Sequence, residues 1–184
     1  MGGGEKYLLD CARFLGSDPD VRVAVAVSGS YSNAELSERR MEYQEFLGQS
    51  LENIEFVGTP LGTDASLIHK LSWTKQWNDI YALIDGSFFL SLAGRTVGHI
   101  QFPFTNDMSL PNQLKARTWS GLSSNSVFTK SVIEEHWPTE IDWVHQPMVA
   151  PLSTAPTRKL LAEKEPIILH VGRFFRQLHS KRQD

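Results

Sequence analysis

The sequence predicts an α/β fold built on a mostly parallel sheet with helices on both faces. Three observations carry that expectation. Short apolar runs alternate with amphipathic helical stretches along the 184 residues. Runs such as Val21–Val27 are apolar on both faces, with only Arg22 interrupting, as befits a parallel strand covered from both sides. Apolar residues at 41% against 21% charged ones allow a sizeable core in a chain of about one domain's length.

In chain order, Glu5–Leu15 reads as a helix, with Tyr7, Leu8, Cys11, Phe14 and Leu15 on one face and Gly16 and Pro19 ending it. Val21–Val27 is a strand and Ser28-Gly-Ser a turn. Ser32-Asn-Ala-Glu35 is a capping box opening a helix to about Gly48. Ile54–Val57 is the next strand, and Thr59-Pro-Leu-Gly62 a loop. Asp64 can cap a helix to about Asp79 that carries Trp73 and Trp77 one turn apart. Tyr81–Ile84 and Val97–Phe102 are strands, the second stopped by Phe102-Pro-Phe104 because proline removes a ladder donor. Thr105–Gln113 is a polar loop, Thr118–Ser124 a strand, and Ser126 caps a helix through Trp137 that Pro138 closes. Ile141–His145 is a strand, Pro147, Pro151 and Pro156 mark a linker, and Ile167–Val171 is one more buried strand before a basic tail.

Several classes are set aside. A net charge of −3 argues against a general nucleic-acid binder, whose affinity comes from a basic surface. Cys11, the single cysteine, makes neither an intrachain disulfide nor a cysteine-rich zinc site. The N-terminal MGGGEKYLL lacks the charged-then-apolar order of a secretory signal. The most apolar stretch, Ile80 to Phe104, is interrupted by Asp85 and Arg95 and is no membrane span. The expectation is a soluble protein of a reducing, cytoplasmic compartment.

Four segments lie at the strand ends where parallel sheets bind ligands. They are GGGEKYLLDCARFL (2–15), HIQFPF (99–104), SNSVFTKSVIEEHW (124–137) and ILHVGRFFRQLHSKRQ (168–183). Together they resemble the retaining GT-B glycosyltransferases of family 4, also called group 1; the last segment is the most specific. The resemblance implies two Rossmann-like domains with a cleft between them. Residues 1–160 would be the N-terminal, acceptor-side domain, lacking the family's first strand. Residues 161–184 would be a linker and the truncated start of the C-terminal nucleotide-sugar domain. The implied reaction moves a sugar from a UDP- or GDP-sugar to a carbohydrate or lipid-linked acceptor with retention. No cofactor, metal or nucleic acid is implied. The implied location is cytoplasmic, with peripheral contact at the inner membrane surface. The family's Glu-x7-Glu motif does not occur in these 184 residues, so the chain alone is expected to be inactive. Where the family often has histidine directly before F-P-F, this sequence has Gln101, with His99 two residues earlier on the same strand face.

The resemblance gives the candidate residues their roles. Arg173 and Lys181 would hold the donor diphosphate, an arginine fork and a lysine point charge steadying the leaving group without a metal. As a bare charge run they would be a solvated tail. Gly3, Gly4 and Glu5 form a cleft loop where glycine lets backbone approach a ligand; the plain alternative is an unstructured terminus. His99, Gln101, Asn125 and Ser126 are acceptor-side candidates. The plain alternatives are a core histidine and an N-cap serine. Trp73, Trp77, Trp119 and Trp143 read as core, and Glu134, Glu135 and Glu163–Glu165 as solvated faces. His136, His145, His170 and His179 lack metal-site spacing. The rival to the enzyme reading is a non-catalytic α/β module binding a phosphate-bearing ligand or a protein partner.

Overall fold

The structure, a computed structural model, describes residues 3–147. Its elements run α1 (Gly3–Leu15), β1 (Val23–Ser28), α2 (Asn33–Leu47), β2 (Ile54–Thr59), α3 (Leu67–Lys75), β3 (Asp79–Ile84), β4 (Arg95–Ile100), α4 (Leu110–Ala116), β5 (Gly121–Ser124), α5 (Val127–His136) and β6 (Trp143–Val144). The 160/161 boundary, the strand expected at Ile167–Val171 and Glu163–Glu165 lie outside the described residues.

The fold class is as expected: every strand pair is parallel, and helices flank both faces of the strands. Among the described residues the strands do not form one sheet, however: β1 pairs only with β2, and β3 to β6 form a second sheet in chain order. Side-chain alternation explains how the helices divide. In the larger sheet His99 and its register partners Leu83 and Ser123 turn toward α1. Their neighbours Ile84, Ile100 and Leu122 turn the other way, into a core with Ile133 of α5, Phe88, Trp119, Trp137 and Ile141. In the smaller sheet Val23, Val25, Ile54 and Phe56 pack with Leu9 and Ala12 of α1 and with Leu36, Tyr43 and Leu47 of α2. So α1 and α2 share one face, and α5 covers the other.

The ends of the helices follow from local chemistry. Ser32 Oγ accepts the Glu35 N–H, and the Glu35 carboxylate accepts the Ser32 N–H at 2.7 Å, the reciprocal capping box. Gly48 ends α2 at φ 63°, a left-handed conformation that favours glycine. Ser32→Ala removes the first of these bonds. It is expected to cost about 1 kcal/mol, read as a fall in melting temperature of about 2–4 °C. An unchanged melting curve would mean that the cap contributes nothing.

Four sequence expectations are corrected. Ser66, not Asp64, caps α3, its side chain accepting the His69 N–H, and the helix stops at Lys75, so Asp79 begins β3. The polar run at 105–113 contains the start of α4, with Pro111 in its first turn, where its missing N–H costs nothing. Trp143 is 53% exposed rather than core, whereas Trp119 is buried. Glu134 is not merely solvated: its Oε1 accepts the Ile141 N–H at 2.8 Å and fastens the chain after α5. Among the described residues no helix is long and apolar enough to cross a membrane.

Candidate functional site

The first turn of α1 meets the C-terminal end of β3 at Leu83 and the residue after β4 at Gln101, and the end of β5 adjoins Gln101 through Asn125. Residues 3–5 are not a loop: α1 already begins at Gly3. The glycines serve close approach instead. A Cβ at Gly4 would stand 3.0 Å from both Gln101 Oε1 and Leu83 Cδ1, so only glycine lets the helix start settle there without displacing them. Gly3 and Glu5 are exposed.

From Gly4 the contacts run on as a chain. Gln101 follows β4, just past Ile100, and its carbonyl accepts Asn125 Nδ2 at 3.0 Å. The Asn125 N–H donates to Ile100 O at 3.1 Å. Ser126 Oγ donates to Asn125 Oδ1 at 3.3 Å and accepts the Thr129 N–H at 3.1 Å as the cap of α5. Gly4, Gln101, Asn125 and Ser126, read from three separate segments, thus adjoin. Capping and site-edge placement coexist at Ser126. His99 differs from Gln101 in one decisive respect: it is 0% exposed, while Gln101 keeps open surface.

Beneath α1 lies a polar cluster built around the buried Tyr7, His99 and Ser123. The Tyr7 ring stacks on the His99 imidazole with centroids 4.3 Å apart and planes at 12°. Tyr7 Oη lies 2.6 Å from His145 Nδ1 and 3.0 Å from Tyr81 Oη. Ser123 Oγ donates to Gly98 O at 3.2 Å and therefore accepts from His99, whose Nδ1 is 2.9 Å away. This assigns the imidazole proton to Nδ1 and leaves Nε2 a bare acceptor. Nε2 is buried without a partner among the described residues. Burial, followed by the neighbouring His145, holds His99 at about pKa 4. Burial, with the Tyr81 hydroxyl second, pushes Tyr7 far above the ordinary phenol range. Burial also pushes the Cys11 thiol up, which disfavours a reactive thiolate. Burial thus disfavours charge on His99, Tyr7 and Cys11, and the Tyr7 contacts fix α1 to the larger sheet.

A separate open cleft of about 510 Å³ lies along the loops after β3 and β4, lined among others by Asp85, Ser87, Phe104, Asn106 and Asp107. Asn112 Nδ2 donates to Gly86 O at 2.9 Å and steadies its wall. Among the described residues no three His, Cys, Asp or Glu side chains gather as metal ligands do. Arg173 and Lys181 lie outside the described residues.

Sequence reasoning did not find Tyr7, Tyr81, Ser123 and His145 as a group. Tyr7 and His145 are 138 positions apart, and each is unremarkable in its own segment. The usable signal was the strand register, which sets His99 against Ser123 once β4 and β5 are paired. No family model, curated protein or solved structure matches the chain. What the geometry establishes is a Rossmann-like parallel α/β domain of the ligand-binding type, with neutral polar residues gathered at the C-terminal edge of its sheet.

Proposed function

We propose that the chain is the acceptor-side part of a nucleotide-sugar-dependent glycosyltransferase, residues 161–184 opening its donor domain. The observation that supports this reading is the contact chain Gly4–Gln101–Asn125–Ser126. Amide and hydroxyl groups at the C-terminal edge of a parallel sheet are the donors and acceptors that sugar hydroxyls require. In this reading Gln101, with open surface, contacts the acceptor, and His99 supports it from below through Tyr7 and Ser123. Arg173 and Lys181 would bind the diphosphate of a UDP- or GDP-sugar and steady its charge as it leaves.

One feature favours a second reading, a non-catalytic binding module. The contact chain is built of Gly, Gln, Asn and Ser, none of which transfers protons near neutral pH.

Titration of the full chain with mono- and disaccharides, followed by amide chemical shifts, tests the acceptor site. Saccharide binding in about the millimolar range is expected, with shifts at Gly4, Gln101, Asn125 and Ser126. Gly4→Val should weaken it about tenfold, or about 1.4 kcal/mol, by displacing Gln101. If no saccharide shifts these amides, the acceptor reading fails. Fusing a donor domain that carries the Glu-x7-Glu pair then separates the two readings: sugar transfer supports the enzyme, and binding without transfer supports the module.

A further inference from the structure

We infer that the cleft along the loops after β3 and β4 binds a small organic ammonium, its charge held by Asp85 and Asp107 and its hydrocarbon stem by Phe104 and Met108. The inference is independent of the proposed function, because Gly4, Gln101, Asn125 and Ser126 contribute no side chain to this cleft.

Both loops are anchored before any ligand arrives. Gly86 follows β3 at φ 99°, a left-handed conformation that favours glycine, so the chain turns sharply after Asp85. Asn112 of α4 holds that turn: its Nδ2 donates to Gly86 O at 2.9 Å, and its Oδ1 accepts the Phe88 N–H at 3.4 Å. On the second loop the carbonyls to either side of Asp107 are both engaged. Asn106 O accepts Trp137 Nε1 at 2.9 Å, and Met108 O accepts Gln113 Nε2 at 2.8 Å. Phe104 stacks on Trp137, with centroids 5.4 Å apart and planes at 10°. A space of about 510 Å³ with walls fixed in this way is of ligand size, and little ordering remains to be done on binding.

The charges on those walls have one sign. Asp85 and Asp107 line the cleft, and no lysine, arginine or histidine does. Asp85 Oδ1 accepts the Ser87 N–H at 3.2 Å and the Ser87 hydroxyl at 2.7 Å, which orients the carboxylate and leaves Oδ2 open. Among the described residues Asp107 makes no hydrogen bond, and neither aspartate has a cationic partner. Two carboxylates gathered in one cleft repel each other, and a cation between them relieves that repulsion. The same charges reject a phosphate or a carboxylate. Two features favour an organic cation over a metal ion. Among the described residues no third Asp, Glu, His or Cys joins the pair, which is thin coordination for a divalent ion. The ring of Phe104 and the buried thioether of Met108 suit a hydrocarbon stem and offer nothing to a hydrated ion.

The full chain is titrated with putrescine, with butanediol as its uncharged counterpart and with calcium, each followed by amide chemical shifts. Putrescine is expected to bind with a Kd of about 1 mM at low salt, shifting Gly86, Ser87, Asp107 and Ser109. Salt at about 0.5 M should weaken it about fivefold or more, because the carboxylates are exposed and screened. Asp107→Asn and Asp85→Asn keep shape and remove charge at exposed positions, and each should weaken binding about fivefold. Asp64→Asn, at an exposed aspartate outside the cleft, should leave it unchanged. Butanediol should shift none of the four amides. No putrescine shift in the cleft overturns the inference, and so does putrescine binding that both cleft variants retain in full. An equal response to butanediol overturns it, since charge would then play no part. Calcium binding more tightly than putrescine at the same amides overturns it in favour of a metal site. Saccharide shifts at Gly4 and Gln101 report on the acceptor reading separately, so either idea can fail without the other.

Discussion

Acidification from pH 6.5 to pH 4 should strip up to about 3 kcal/mol from the folded state through His99 alone. His99 is wholly buried, stacked under Tyr7, and bonded through Nδ1 to Ser123. Protonation would place a charge in a buried site beside His145, with no acceptor for Nε2 among the described residues; burial first and His145 second hold its pKa at about 4 instead of 6.5. In the unfolded chain the imidazole takes its proton near pH 6.5. Between these values the unfolded state holds more protons than the folded one, so stability rises with pH. The contribution is complete above 6.5 and is lost as pH falls through the window. Urea denaturation at half-unit intervals measures it, and His99→Asn, which keeps a polar partner for Ser123, should flatten the slope between pH 6.5 and 4.5. Carboxylates titrating at the low end affect both proteins and cancel in the comparison. A His99 ring whose NMR titration has its midpoint near 6.5 would sink the assignment.

That histidine marks the limit of what the sequence made legible. Strands and helices could be read because each declares itself within a few residues: β-branched runs for β1 and β2, Ser32 and Glu35 for α2, Ser126 for α5. The placing of Gln101, Asn125 and Ser126 together was also legible. In a parallel sheet, residues just past neighbouring strands share one edge, and Asn125 Nδ2 does reach Gln101 O. α4 was hidden because its segment is polar, although Ser109 ahead of Leu110 and Pro111 is a helix-start signal. The split into two sheets had no local signal. β1 and β3 look like central strands, and only pairing reveals that among the described residues each is paired on one side. The Tyr7 cluster was beyond reach for a related reason. Tyr7 falls on the apolar stripe of α1, and nothing in that stripe says that its hydroxyl meets Tyr81 and His145.

Ile133→Ala is expected to cost about 3–4 kcal/mol, near the middle of the range for buried large-to-small substitutions. Ile133 is 0% exposed and is the residue by which α5 enters the core of Ile84, Ile100, Trp119 and Leu122. Removing three carbons leaves a void that ring side chains on either side fill poorly. Val127, on the same helix but 69% exposed, is the control, and Val127→Ala should change stability by no more than about 0.5 kcal/mol. Gly98 gives the opposite perturbation of the same core. A Cβ there would lie 2.7 Å from Trp119 Cζ3, 2.8 Å from Leu122 Cδ2 and 3.0 Å from Ile84 Cγ1, so Gly98→Ala overpacks it at about 1–3 kcal/mol. The three crowded side chains belong to the cluster that Ile133 fills. In the double variant they can relax toward the space the isoleucine vacates. The combined loss should therefore fall short of the sum of the single losses by about 0.5 kcal/mol or more. Denaturant midpoints of the four proteins, taken at about pH 8, well above the unfolded imidazole's range so that His99 is uncharged in both states, measure the shortfall. Strict additivity would mean that Gly98 and Ile133 do not share a core, and the packing of α5 on the face opposite α1 would have to be redrawn.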